Sequence, residues 1–536
     1  MNTTLLVNGR IYTPDAPDAT ALAITGDQIT WVGQDGPGRA THPDARVIDL
    51  AGTFVAPAFV DAHVHATATG LLRTGIDLTN CTSLADCLAT VRAHTATVTP
   101  EGVLWGHGWD ETRWPEQRPP TRAELDTAAG GVPVYLSRID AHSALVSTAL
   151  LALAPQARGA AGWSDTGPVS RDAHHHTRGA AFDAIPGAQR HEAQRVFLRH
   201  AASRGIAAVH ECAGPDISSL TDLADLLTLG TAERLPDVVG YWGQAGALDA
   251  ATAAGARGLA GDLFVDGALG SRTAALTQPY RDDPTNTGAT YLTAAQITDH
   301  VITCTRAGVQ AGFHAIGDAA VTAVVDGFTA AERVVGGPAL AARAHRVEHL
   351  EMVTAAQAQQ LARWGVIASV QPAFDAAWGG PDGMYARRLG NPRGTGLNPY
   401  AQLAKTGLTL AFGSDTPVTP LDPWGTLRAA VHHRTEGAGI SPRAAFTAHT
   451  RAGWRAAGAR DSHAGVLTPG APATYAIWQA ADLVVTTPDS RVQRWSTDPR
   501  AGVPGLPPLD PDQTLPTCVA TVLRGHTIHD PEGVLG

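Results

Sequence analysis

Lysine is almost absent from this sequence: among 536 residues Lys405 is the only one, so Arg supplies nearly all of the positive charge. The 39 basic residues are outnumbered by 50 acidic residues, which gives a formal net charge of −11. A nucleic-acid-binding surface needs basic side chains to neutralise phosphates. The charge balance therefore argues against a nucleic-acid partner.

Cysteine and long apolar runs are also scarce. The five cysteines are scattered and none forms a Cys-x-x-Cys pair, which argues against a disulfide framework and a cysteine zinc site. No segment reaches the roughly 18 consecutive apolar residues of a membrane span. The first residues lack the basic and apolar segments of a secretory signal. We therefore expect a cytoplasmic protein with no membrane partner.

The order of predicted strands and helices is typical of an α/β protein. Both chain ends consist of short β-rich segments with Gly and Pro turns, which predicts a β-sandwich domain composed of residues 1–57 and 464–536. Residues 58–463 alternate apolar runs with Ala-rich helical segments, and eight such units predict a TIM-like (β/α)8 barrel. The predicted barrel strands are Phe59–His65, Ile206–Cys212, Val238–Trp242, Leu263–Gly267, Gln310–Ile316, Arg346–Leu350, Val366–Gln371 and Leu408–Ser414. The long gap after the first strand predicts an insertion at about 75–204, with strands near Val103–Gly106 and Val134–Arg138.

Histidines and one aspartate stand at the carboxyl ends of these strands, where active sites of such barrels form. His63 and His65 are two residues apart on the first strand, so their rings face one side and can share a metal. His314 ends the fifth strand, His349 the sixth, and Asp415 follows the eighth. Taken alone, each of these residues could equally well be a hydrogen-bonded core residue or a turn cap instead of a metal ligand. Together they indicate a metal site at the barrel mouth.

The chain resembles the amidohydrolase superfamily of metal-dependent hydrolases, and within it the family 3 branch that includes N-substituted formamide deformylase. The matching stretches are VAPAFVDAHVH, GHGWDETRW, RIDAHSALVSTAL, LFVDGALGSRTAAL, FHAIGDAAV, RVEHLEM, FGSDTPVTPLDP and GVLTPGAPATYAIW. The resemblance implies a distorted barrel with a β-sandwich made from both chain ends. It also implies that the metal ligands are His63, His65, His314, His349 and Asp415.

One position departs from the family pattern. Many relatives have a lysine on strand four that becomes carboxylated and bridges two metals, whereas Asp262 occupies the corresponding position here. Because an aspartate side chain is several bonds shorter, Asp262 cannot bridge the same two metals without a backbone shift. We favour one firmly held ion, with zinc preferred, and with His349 beside the metal-bound water. A binuclear site that includes Asp262, and other divalent metals, stay open.

The expected reaction is hydrolysis of a C–N bond in an amide, a formamide or a cyclic amide, with a small molecule as substrate. A bound metal lowers the pKa of its water to roughly 7. Asp415 then accepts the water proton, and His349 stabilises the oxyanion if it is not a ligand. Deamination of a heterocyclic amine or imine is an alternative, and a non-catalytic binding protein on a degenerate scaffold is another.

Further residues are candidates for substrate contact. Trp109 and His142 lie in the insertion, which is expected to form a lid over the barrel mouth. Arg272 follows strand four and is equally compatible with a bidentate partner of a substrate carboxylate and with a structural role. The sequence His174-His175-His176 is expected to be a solvated loop. The resemblance also suggests a homodimer.

Overall fold

The computed structural model describes residues 3–95, 102–459, 461–485 and 504–536. Its central feature is an eight-stranded, all-parallel sheet whose strands follow one another in chain order. We number the strands β1 (Phe59–Val64), β2 (Ile206–Ala213), β3 (Asp237–Trp242), β4 (Gly258–Leu259), β5 (Gln310–Ala315), β6 (Arg346–His349), β7 (Ile367–Val370) and β8 (Thr409–Phe412). A parallel bridge between Val64 and Thr416 links the two edges beyond the strand ends. The predicted barrel is thus confirmed.

Strand four differs from its prediction. Leu263–Gly267 is not a regular strand, because β4 ends at Leu259 and only Phe264 forms a bridge, to His314 of β5. Gly261 has a φ of 76°, a left-handed conformation that glycine tolerates best. The chain therefore turns immediately before Asp262.

The strands of the chain ends form two further sheets. A four-stranded sheet contains Gln28–Gly33, Ala21–Thr25, Thr3–Val7 and Arg46–Asp49, in that order. A five-stranded sheet contains Arg10–Ile11, Phe54–Pro57, Tyr475–Gln479, Thr517–Leu523 and His526–His529. Leu6 and Leu22 of the first sheet share one buried apolar cluster with Val55 and Ile477 of the second. Residues from both chain ends thus build one packed unit, while the predicted boundaries at residues 57 and 464 stay a prediction.

The insertion after β1 has a mixed five-stranded sheet. Its strands are Val169–Ser170, Ser143–Val146, Val134–Arg138, Leu104–Trp109 and Ile76–Asp77. Two apolar clusters cover its faces, one around Tyr135 and Phe182 and the other around Trp109 and Trp114. Part of the predicted insertion, residues 96–101, and part of the predicted C-terminal β-rich segment, residues 486–503, lie outside the described residues.

Helices surround the barrel and cover the insertion. They begin and end at Asp35–Thr41, Ala66–Thr74, Leu84–Thr95, Arg122–Ala129, Thr148–Leu151, Arg171–Asp183, Gly187–Ser203, Leu220–Ala232, Leu248–Ala253, Ala294–Ala307, Asp318–Val335, Gly337–Ala341, Ala355–Arg363, Pro372–Trp378, Met384–Leu389, Tyr400–Lys405, Pro423–Val431, Pro442–Ala448 and Arg451–Ala456. Short 3-10 turns occur at Glu111–Arg113 and Pro155–Ala157. In the described part of the chain, no helix combines the length and apolar character needed to cross a bilayer.

Candidate metal centre

The first and last barrel strands bring three side chains together. His63 ends β1 and His65 follows it, while Asp415 lies in the turn after β8. Nε2 of His65 lies 3.0 Å from Oδ1 of Asp415, and Nε2 of His63 lies 3.4 Å from the same oxygen. The backbone N–H of Asp415 donates to the carbonyl of His63 at 2.8 Å, which holds the turn against β1.

Asp262 lies between this group and two more histidines. Its Oδ2 is 3.2 Å from Nε2 of His65 and 3.5 Å from Nε2 of His63. Its Oδ1 is 3.4 Å from Nδ1 of His314 and 3.7 Å from Nε2 of His349. The rings of His314 and His349 are 4.4 Å apart between centroids. One carboxylate therefore faces two sets of imidazoles.

This geometry changes two expectations. Asp262 does not extend from a regular strand, and the turn at Gly261 carries its short side chain to the cluster. Of the four residues expected around one ion, His63, His65 and Asp415 form a close group, and His314 lies beside the other oxygen of Asp262. His63 also forms a group with Asp262 and His349.

A second layer of polar side chains orients the imidazoles. Nδ1–H of His63 donates to Glu348 at 3.0 Å, and Nη2 of Arg346 donates to the same carboxylate at 2.9 Å. Burial alone would raise the pKa of Glu348, but the adjacent Arg346 guanidinium and His63 hold that pKa well below its usual range. Nδ1–H of His349 donates to Oε1 of Gln371 at 2.8 Å. Both histidines are thereby held with Nε2 towards Asp262.

Several buried polar atoms of the cluster lack a hydrogen-bond partner among the described residues. Nε2 of His63, Nε2 of His349 and Oδ1 of Asp415 accept or donate no hydrogen bond within the described part of the chain. Burying such atoms without a partner is costly. Imidazole nitrogens and carboxylate oxygens are the donors that zinc and similar divalent ions prefer. These residues therefore fit a divalent metal ion.

The cluster opens into a cavity beneath the insertion. The walls are formed by His142, Trp105, Tyr135, Phe182, Phe264 and Ile217, together with His107, Ser137, Asp140 and Arg178. The ring of His142 is 5.2 Å from that of His314, as centroid distance. Burial, together with the nearby His314 and Arg178, lowers the pKa of His142 well below its usual value, so its imidazole is neutral at pH 7. Trp378 and Tyr385 line a second cavity beside His349.

Trp109 and Arg272, the other two candidates for substrate contact, do not line this cavity, and their substrate-binding role stays a prediction. The indole of Trp109 is buried in the core of the insertion and donates from Nε1 to the carbonyl of Leu136 at 2.8 Å. The guanidinium of Arg272 forms a bidentate pair with Asp282, at 3.2 and 2.9 Å. This pair favours the structural role for Arg272, within the loop after β4.

The three consecutive histidines also differ from expectation. They lie on the helix Arg171–Asp183 rather than in a solvated loop, and His174 is fully buried. Sequence reasoning therefore missed Arg178, which follows on the same helix. It also missed Glu348 and Arg346. Their two-residue spacing on β6 placed both charged side chains on one face of a barrel strand, and that signal was available.

The chain is similar to known amidohydrolases and to metal-dependent hydrolases of known structure. Residues 46–529 match the amidohydrolase family. N-substituted formamide deformylase of Arthrobacter pascens is 25% identical over 84% of this chain and 87% of its own length. The putative amidohydrolase YtcJ of Bacillus subtilis is 27% identical over 73% of this chain and 75% of its own. A crystal structure of an uncharacterized metal-dependent hydrolase from Pyrococcus furiosus has a TM-score of 0.69 and 27% identity, covering 89% of this chain and 98% of that one.

Proposed function

The chain belongs to the amidohydrolase family, and we propose that it is a metal-dependent hydrolase that cleaves a non-peptide C–N bond in a small amide, formamide or cyclic amide. The observation that carries the proposal is the position of Asp262 between two sets of buried imidazoles. The ligand nitrogens of His63 and His349 have no protein partner. A degenerate scaffold would have no reason to keep such atoms buried and unbonded.

The donor set supports a site for two divalent ions, with zinc favoured, rather than the single firmly held ion favoured by the sequence. His63, His65 and Asp415, whose ligand atoms lie within 4.8 Å of one another, would hold one ion, and His314 and His349, whose ring centroids are 4.4 Å apart, would hold the other. Asp262 would contribute one oxygen to each side. When bound, such ions activate water and polarise the substrate carbonyl.

Asp415 is the proposed proton shuttle. Its pKa is below the usual value, because His63 and His65 outweigh the effect of burial, so the carboxylate is ionised and ready to accept a proton. It takes the proton of the attacking water and delivers it to the leaving nitrogen. The neutral ring of His142, beside His314, is placed to hydrogen-bond the substrate. His349 is assigned as a ligand, since its Nε2 points at Asp262.

The test combines elemental analysis with a substrate screen. Purified protein loaded with zinc is assayed on N-substituted formamides, cyclic amides and aminoheterocycles, with formate or carboxylic acid and ammonia measured separately. We expect acid release that a chelator abolishes and added zinc restores. Protein that takes up no metal would contradict the proposal, and ammonia release from aminoheterocycles alone would replace it with a deaminase function.

A further inference from the structure

Arg178 lies in the same cavity as the proposed metal centre. It is on the helix Arg171–Asp183 of the insertion, and the residue is 9% exposed. The cavity that it lines also contains His65, Asp262 and Asp415. A substrate held at the metal centre therefore shares one enclosed space with this guanidinium.

Arg178 differs from the other buried arginines near the site because it has no acidic partner. Arg138 is paired with Asp110, Glu111 and Asp140, at 3.0 to 3.1 Å. Arg346 is paired with Glu348. Among the described residues, no carboxylate oxygen lies within 4.0 Å of the Arg178 guanidinium, which is the distance that defines an ion pair.

Only part of the donor capacity of Arg178 is used. Nη2 donates to the carbonyl of Ala141 at 2.7 Å and lies 3.3 Å from Nδ1 of His174. Nε is buried without a hydrogen-bond partner. The Tyr135 hydroxyl also interacts with the guanidinium, so the N–H group of Nε is the buried donor left without an acceptor among the described residues. An unpaired buried charge is costly, and a ligand that brings an anion would remove that cost.

Three carboxylates line the cavity with Arg178, and each faces another group: Asp262 and Asp415 lie against His65, at 3.2 and 3.0 Å. Much of the rest of the cavity wall is aromatic or aliphatic, formed by Trp105, Tyr135, Phe182 and Ile217. Asp140 also lines the cavity, but Arg138 and Ser271 bind its Oδ2, at 3.0 and 2.8 Å. The Arg178 charge is therefore left for a ligand.

Building on the proposed hydrolase function, we propose that the substrate is an amide that also carries a carboxylate, and that Arg178 binds this carboxylate. The planar guanidinium matches a carboxylate in a bidentate pair. The aromatic walls would cover an apolar portion between the carboxylate and the scissile bond. The role once considered for Arg272 thus passes to a residue inside the cavity.

The first experiment measures binding without catalysis. Benzoate and its neutral analogue benzyl alcohol are titrated into zinc-loaded wild type, Arg178→Met and Arg272→Met by calorimetry. We expect Arg178→Met to weaken benzoate binding by about 10- to 100-fold, with benzyl alcohol unchanged. Arg272→Met serves as the control and should bind both ligands as wild type does. Equal benzoate affinity in wild type and Arg178→Met would overturn the proposal.

Arg178→Lys covers the case in which the methionine variant does not fold. It keeps the positive charge and a donor for Ala141 but loses the planar fork. Weaker benzoate binding with unchanged benzyl alcohol binding supports the proposal, and unchanged benzoate binding refutes it.

A kinetic comparison separates this proposal from the proposed function. Matched amides with and without a carboxylate are assayed, and kcat/KM should favour the carboxylated amide in wild type but not in Arg178→Met. If no amide is hydrolysed while benzoate binding depends on Arg178, the carboxylate site stands and the hydrolase proposal fails. If amides are hydrolysed without preference for a carboxylate, and benzoate affinity is the same in wild type and Arg178→Met, the hydrolase proposal stands and the carboxylate site fails.

Discussion

Nδ1 of His63 lies 3.0 Å from Oε2 of Glu348, and both side chains are completely buried. The contact fixes the imidazole tautomer and leaves Nε2 to face Asp262 and Asp415. Arg346 neutralises Glu348 from the other side. The orientation of the first ligand on β1 thus depends on an ion pair on β6, at the other side of the barrel.

Replacing Glu348 with Gln should weaken metal binding. The amide can still accept from His63 but no longer supports the ring with a negative charge, so we expect the metal dissociation constant to rise about 10- to 100-fold. Competition with a chelator of known affinity measures it. Ser369→Ala is the matched control, since it removes a 3.0 Å partner of Arg346 without touching His63. Equal metal affinity of Glu348→Gln and wild type would contradict the positioning role.

Asp262→Asn tests whether one carboxylate serves two ions. The substitution removes the charge that both imidazole sets face, so the metal content per chain should fall by at least one ion compared with wild type. Elemental analysis after dialysis measures the metal content per chain. Asp266→Asn is an informative comparison because Asp266 is equally buried but accepts from the backbone N–H groups of Ala275, Ile316 and Gly317. Asp266 lies 3.9 Å from Nε2 of His314, whereas Asp262 contacts both sets of imidazoles. An unchanged metal content in Asp262→Asn would exclude the shared-carboxylate arrangement.

Asp415→Asn should separate chemistry from metal binding. The amide cannot accept the water proton, so we expect kcat to fall by about 10²- to 10⁴-fold, while most of the metal is retained by His63, His65 and Asp262. Turnover and metal content are measured on the same preparation. Turnover equal to that of wild type would rule out the proton-shuttle role.

Asp222 should make stability depend on pH. This buried carboxyl accepts from Thr67 and Gln194, at 2.8 and 2.9 Å. Burial, opposed by these hydrogen bonds, raises its pKa to about 6, compared with about 4 in an unfolded chain. The folded state therefore binds a proton that the unfolded state releases. The resulting stabilisation is complete below pH 4 and is lost as the pH rises through about 6.

Urea unfolding of metal-free protein at several pH values between 4 and 7 tests this sign. Relative to Asp222→Asn, wild type should lose roughly 2 to 3 kcal/mol of unfolding free energy across that window. Asp225→Asn, on the same helix and more exposed, is the control and should follow wild type. Parallel curves for wild type and Asp222→Asn would show that Asp222 does not titrate in this way.

The sequence was informative where residue type and strand position coincide. His63, His314 and His349 each end an apolar run, and parallel strands must present their carboxyl ends on the same side, so their convergence is predictable. The location of the Asp262 side chain was not predictable, because β4 has only two residues and the turn at Gly261 decides where that side chain points.

The insertion was harder to predict because its packing depends on contacts between distant segments. An aromatic residue such as Trp109 suits a pocket wall and a core equally well, and only the neighbours Leu136 and Trp114 decide between them. Arg178 was missed for a related reason. The three histidines before it lack the apolar spacing of a buried helix, and His174 is buried through polar contacts with Tyr135 and Arg178.

The pairing of Phe54–Pro57 with Tyr475–Gln479 has a consequence for how the protein is made. Only Ala58 separates the first of these segments from β1, which bears His63. During synthesis Phe54–Pro57 cannot form this pairing until its partner strand, more than 400 residues further along the chain, has been made. The backbone that leads into β1 is therefore fully paired only after Tyr475–Gln479 has been synthesised, so we expect the side chains on β1 to reach their final positions only after that segment is made.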